Sequence, residues 1–220
     1  MSALRRIAIV GAESTGKSWL AQTLTEVLSA RGESVQWVHE HLRTWCAREG
    51  RTPLPHEQLP IAQAQAAAVL SIASGTVIAD TTPLMTAIYS HHLFGDKSLY
   101  PMALEHQRLY HLTLVTGLDI PWVADGLQRD GPHVRSPIDT RVRQALTQTG
   151  LGFRVVYGRG LARLNNALLA LGLAPEDEAT WQGRTSAQFA LNRGHTAWLC
   201  EKCSDPDCEH RLFTGLLQRP

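Results

Sequence analysis

The sequence predicts an α/β protein: a mostly parallel five-stranded sheet with helices on both faces, followed by a small C-terminal Cys/His appendage. Three observations lead there. Strand-length apolar runs at 7–10, 35–38, 76–80, 112–115 and 153–157 alternate with helical patterns. Between the first run and the first helix lies Gly11-Ala12-Glu13-Ser14-Thr15-Gly16-Lys17-Ser18, which satisfies G-x-x-x-x-G-K-[ST] at every required position. The 220 residues, 44% of them apolar, suit one large domain with a real core.

Taken in order, residues 7–10 form a buried strand and residues 18–30 a helix with Leu20, Leu24, Val27 and Leu28 on one face. A strand entering a glycine-bearing turn at a helix N-terminus directs several backbone N–H groups at one spot, where a nucleotide's phosphates would sit. In that motif Lys17 reaches the β- and γ-phosphates and the Ser18 hydroxyl holds Mg²⁺. The strand at 35–38 delivers Glu40 and Arg43 to its C-terminal end, where open parallel sheets bind ligands. After Pro53, Pro55 and Pro60 comes an alanine- and glutamine-rich helix over 57–74 containing Gln65, then a strand over 76–80 that ends in Asp80. Pro83 opens the next helix. The strand at 112–115 leads to Pro121 and Trp122. Residues 125–135, rich in Gly, Asp and Arg, have the composition of a mobile loop. Pro137 and Asp139 announce a helix to about residue 149. The last strand, 153–157, precedes a helix with Leu161, Leu164, Leu168 and Leu171 on one face. These elements place a phosphate-loop domain at 1–175 and a helical tail at 176–220.

The loop alone does not separate a kinase from a switch GTPase or a motor ATPase. Asp80, closing an apolar strand, fits the position where a carboxylate orients Mg²⁺ or its waters; the alternative is a helix N-cap ahead of Pro83. Glu40 and Arg43 supply what a small-molecule kinase needs, a carboxylate to take the acceptor's proton and a cation to hold the substrate; the alternative is an i,i+3 ion pair. Arg129 and Arg135 can close over the nucleotide and neutralise charge in transfer, or can be solvated loop residues. Trp122 can stack on a flat ring or pack in the core, and Asp125 can accept hydrogen bonds from substrate hydroxyls.

With 21 basic and 20 acidic residues, net charge +1, nothing electrostatic argues for a nucleic-acid or membrane partner. The apolar run behind Arg5 and Arg6 stops at Gly11, so neither a secretory signal nor a membrane span is expected, and a cytoplasmic location is. A homo-oligomer is compatible with these features.

The loop with Glu13 inside it, Glu40-x-x-Arg43, Ile61-Ala62-x-x-Gln65, Asp80-Thr81 and the run Asp119-Ile120-Pro121-Trp122-Val123-Ala124-Asp125-Gly126 together resemble the kinase domain of NadR-type nicotinamide riboside kinases, over roughly residues 5–170. The resemblance implies a P-loop NTPase/kinase fold and ATP-dependent phosphorylation of the ribose 5′-hydroxyl of nicotinamide riboside or a similar nucleoside. It also implies nucleotide binding at Gly11, Glu13, Ser14, Thr15, Gly16, Lys17 and Ser18, metal handling at Asp80, and substrate contacts near Glu40, Arg43, Trp122 and Asp125. Bifunctional members carry an adenylyltransferase domain before the kinase. This chain opens at its first strand, so phosphorylation without adenylyl transfer is expected. The competing expectation is a nucleotide-dependent regulatory ATPase that keeps the fold without phosphorylating an acceptor.

Cys200-x-x-Cys203 followed by Cys208-x-His210 reads as a structural Zn²⁺ knuckle, with reduced thiols or a redox pair as alternatives. Cys46, the fourth cysteine, reads as a small buried residue.

Overall fold

The computed structural model describes residues 3–123 and 132–192, the side chains of the last helix as far as residue 185. Five parallel strands, β1 (Arg5–Val10), β2 (Val35–Val38), β3 (Thr76–Asp80), β4 (Leu112–Thr116) and β5 (Arg154–Val156), form one sheet in the order β2-β3-β1-β4-β5. The strands are mostly buried and β-branched, as a sheet covered on both faces requires.

Side chains on successive strand residues point to opposite faces, so the sheet separates two cores. Ile7, Ile9, Ile78, Leu114 and Val156 pack with the buried residues of α1 (Lys17–Ala30) and α7 (Gly160–Ala170). Ala8, Val10, Val77, Ala79 and Val115 face α3 (Gln58–Leu70), α4 (Pro83–Phe94), α5 (Tyr100–Gln107) and α6 (Arg135–Gln148). β1 lies at the centre, and the chain crosses from its β3 side to its β4 side. That reversal opens a crevice at the strands' C-terminal ends, directly after β1.

The expected strands and the principal helices are present. α5 was not expected, and α2 (His41–Glu49), closed by Gly50 in the left-handed region (φ 67), is the helix start that the alternative reading of the Glu40–Arg43 pair required. The helix expected from Pro137 begins two residues earlier at Arg135, because proline is tolerated in a first turn whose N–H groups have no helical partner. Past residue 175 the chain stays on the core. Glu176 pairs with Arg31 (3.7 Å) and Arg184 (3.5 Å), and Trp181 of α8 (Glu178–Asn192) lies edge-on to Trp19 of α1 at 6.2 Å. Cys46 is buried as expected, and burial pushes its thiol up to about 11. Among the described residues no helix is long and apolar enough to cross a membrane.

Leu24 is fully buried between α1 and the sheet. Leu24→Ala should lower stability by about 2–5 kcal/mol, read as a shifted urea midpoint at unchanged slope.

Candidate active site

The loop after β1 is built from backbone constraints. Gly11 (φ 148) has no room for a side chain, because a Cβ there would collide with the Thr116 hydroxyl. Gly16 takes the left-handed region (φ 73) at the N-cap of α1, and Ser14 does the same (φ 53). Thr15, fully buried, donates to the Ala12 carbonyl (2.7 Å) and shares a hydrogen bond with Thr116 at the end of β4 (2.6 Å). The Lys17 ammonium donates to the Ala12 carbonyl at 2.9 Å, folded back along the loop.

Asp80 is held beside this loop by strand register, its Cα paired with Ile9, and is only 2% exposed. Thr81 follows with φ 68, uncommon for a β-branched residue, and its N–H bonds the Ile9 carbonyl (3.0 Å). The N-cap of α4 is Thr82, so Asp80 does not serve as that helix's cap. Burial pushes the Asp80 carboxyl up, to about 6. The Glu40 charge adds to the push, while a hydrogen bond from Ser18 and the charges of Lys17 and Arg43 oppose it. Its Oδ1 is buried without a hydrogen-bond partner. The residues expected at the phosphate and acceptor ends of the reaction thus converge on one carboxylate.

Glu40 occupies the N-cap position of α2 but makes no side-chain capping bond. Its carboxylate lies 3.8 Å from Arg43 Nε, so the i,i+3 pair weighed from the sequence exists. It also stands within electrostatic reach of Asp80, so pairing and a site role are compatible. Gln65 is 3% exposed. Its Oε1 accepts from the His41 N–H (2.7 Å), and its Nε2 is a buried donor without a partner.

From the β4 side the chain closes over the loop. The Trp122 indole N–H donates to Glu13 (3.1 Å), and the Val123 N–H donates to the Ser14 hydroxyl (2.8 Å). Arg135 is buried at the start of α6 and donates to the carbonyls of Ile120 (2.7 Å) and Leu118 (3.4 Å), so it fastens the 118–120 backbone. Asp125 and Arg129, and the ligand set Cys200, Cys203, Cys208 and His210, lie outside the described residues. Among the described residues no cluster of three or more His, Cys, Asp or Glu is arranged to hold a metal ion.

Sequence reasoning missed two participants. Arg163 of α7 is fully buried and donates to the Thr15 carbonyl (3.2 Å), the Gly158 carbonyl (3.0 Å) and Asp119 (3.4 Å). Burial lowers its pKa, and Asp119 opposes that. A cation four residues before buried Ala167, on an apolar helix face, was the available signal. Thr116 carried a weaker one, a hydroxyl at the end of an apolar strand.

Lys17, Ser18, the loop amides and the partnerless Oδ1 of Asp80 suit a magnesium-bound nucleoside triphosphate: a cation beside Asp80 would occupy the acceptor the protein leaves open.

A family model described as an AAA domain matches residues 6–163. Among solved structures, the crystal structure of NadR protein in complex with NR aligns with a TM-score of 0.61 at 20% identity, covering 79% of this chain and 53% of that one. The chain therefore spans about half the length of that structure. A deoxyadenosine kinase from M. mycoides with bound dATP aligns with a TM-score of 0.48 at 12% identity, covering 76% of this chain and 99% of that one. A shikimate kinase from Aquifex aeolicus gives 0.44 at 15%, covering 76% and 96%. These two are too distant to argue from. No curated protein matches. The NadR likeness bears out the expected phosphate-loop kinase fold.

Because the Asp80 carboxyl is raised in the folded state, its stability contribution is full below the ordinary carboxylate range and lost as pH rises through about 6. Asp80→Asn should therefore flatten the pH dependence of the melting temperature between pH 4 and pH 7, and raise it at pH 7 in the absence of ligand. MgCl₂ with ATP should stabilise the wild type at pH 7 more than the variant, as differential scanning fluorimetry would read.

Proposed function

The chain belongs to the AAA domain family, and from that premise we propose that it is a phosphate-loop kinase moving the γ-phosphoryl group of MgATP to a hydroxyl of a small nucleoside-like molecule. The best candidate acceptor is the ribose 5′-hydroxyl of nicotinamide riboside or a similar nucleoside. The observation that carries the reading is the meeting of Glu40, Arg43, Lys17 and Ser18 around one buried carboxylate, Asp80. The NadR likeness supports it at the level of fold.

In this reading Lys17 leaves the Ala12 carbonyl for the β- and γ-phosphate oxygens, beside the amides of residues 13–18. Ser18 and Asp80 would hold Mg²⁺, which would supply charge neutralisation on the phosphates. Arg43 keeps the Glu40 carboxylate oriented, and Glu40 takes the acceptor hydroxyl's proton. The acceptor oxygen bonds to the γ-phosphorus, the bond to the β,γ-bridging oxygen breaks, and ADP leaves. The free Nε2 of Gln65 donates to an acceptor hydroxyl beside Glu40, and the Trp122 ring, anchored by Glu13, borders the nucleoside.

A second reading, a nucleotide-dependent regulatory ATPase on the same fold, is favoured by one observation. Arg135, expected as a lid residue, is engaged with backbone carbonyls.

Purified protein with γ-labelled ATP and a nucleoside panel including nicotinamide riboside separates the two. The kinase reading expects labelled nucleoside 5′-phosphate, reduced by roughly 10²–10³-fold or more in Lys17→Ala and by about 10²–10⁴-fold in Glu40→Gln, with both variants folded by circular dichroism. ATP hydrolysis indifferent to every acceptor, with no phosphorylated nucleoside, would establish the second reading instead.

A further inference from the structure

A cavity of about 300 Å³ opens between α4, α5 and α6, and it shares no lining residue with the phosphate loop or with Asp80 and Glu40. α4 leaves the C-terminal end of β3 at Pro83 and runs back, so His91 lies in its last turn. α6 starts at Arg135 against the 118–120 backbone and ends just before the chain returns to β5. The cavity, formed by the far ends of these helices, is therefore displaced toward the N-terminal edges of the strands, away from the crevice. On α6 its residues follow helical spacing, Arg141, Gln144, Ala145 and Gln148, one continuous stripe.

We propose that this cavity is a second ligand site, for a small organic anion whose phosphate or carboxylate head is held by Arg141, Lys97 and His91. Those three bases line it, and among the described residues no acidic side chain does. Two carboxylates close in sequence to lining residues are already engaged: Asp96 accepts from the Ser98 N–H (2.8 Å) and the Ser90 hydroxyl (3.5 Å), and Asp139 holds Arg143 (2.7 Å). Arg141 Nε is a buried donor without a partner. Burial first, and then the charges of Arg141, Lys97 and His92, press His91 toward its neutral form.

The remaining surfaces suit the body of such a ligand. The Tyr100 hydroxyl meets His91 Nδ1 at 3.2 Å with the two rings edge-to-face, which fixes both rings against the cavity wall. Leu104 and Ala145 offer an apolar patch, and the Gln144 and Gln148 amides can donate or accept. A cavity of this size, part apolar with a few convergent polar groups, matches a single-ring or short-chain acid. The inference does not depend on which hydroxyl the kinase phosphorylates.

The test uses the full chain saturated with a non-hydrolysable MgATP analogue, so that the phosphate loop is filled. Phenyl phosphate, benzoate and neutral benzyl alcohol are titrated by calorimetry, and the ring protons of His91, identified through His91→Gln, are followed by NMR. Either anion or both should bind saturably at one site and raise the His91 pKa, the alcohol should not bind, and the two anions tell a phosphate site from a carboxylate site. The Lys97→Gln/Arg141→Gln pair should weaken binding at least tenfold with nucleotide affinity unchanged. Gln144→Glu, on the exposed side of α6, should weaken it similarly and decides the matter if the double variant is unfolded. Absence of saturable anion binding, equal binding of the alcohol, indifference to these substitutions, or binding seen only with the phosphate loop empty would each overturn the proposal.

Discussion

A carboxylate almost wholly withdrawn from water is the constraint on which the site depends. Taking an ionised group out of water costs several kcal/mol unless cations or hydrogen bonds replace the lost hydration. Asp80 receives only part of that replacement, from the Ser18 hydroxyl and the charges of Lys17 and Arg43, while Glu40 works against it. Its position is not adjustable, because parallel register with Ile9 and the sharp turn at Thr81 fix it. The result is a buried acceptor oxygen under the influence of Ser18 and Lys17, where a divalent cation would be stabilising.

The other half of the design is rigidity imposed from the β4 side. Thr116 braces Thr15, Trp122 and Val123 fasten Glu13 and Ser14, and Arg163 reaches across from α7 to the Thr15 carbonyl. These contacts tie the loop's side chains and the Thr15 carbonyl to β4, the segment after it and α7. Preorganised dipoles stabilise developing charge without rearrangement during the reaction. Arg135 contributes at one remove, by holding the backbone that carries Ile120 beside Gly16.

Whatever depends on local pattern was legible in the sequence. The strands announced themselves as short apolar runs, the loop as glycines and a lysine at fixed spacing, and Asp80 as an acid closing a strand. The positions of Glu40 and Arg43 followed from strand ends and parallel topology. What stayed hidden arises from contacts far apart in the chain: Arg163 with Thr15, Thr116 with Thr15, and Trp122 with Glu13 rather than in the core. α5 escaped because it is short and stabilised by packing more than by pattern; it buries Ala103, His106 and Gln107, two of them polar. The role expected of Arg135 failed to foresee its burial, since a Gly- and Asp-rich neighbourhood reads as loop while the residue itself begins a helix.

The central claim is that Asp80 and the loop together form a cation-dependent nucleotide phosphate site. Its most direct test is Mn²⁺ binding followed by electron paramagnetic resonance in the presence of an ATP analogue, comparing the wild type with Asp80→Asn. The account predicts a ternary complex in the wild type and at least tenfold weaker Mn²⁺ retention in the variant. Equal retention in both proteins would contradict it.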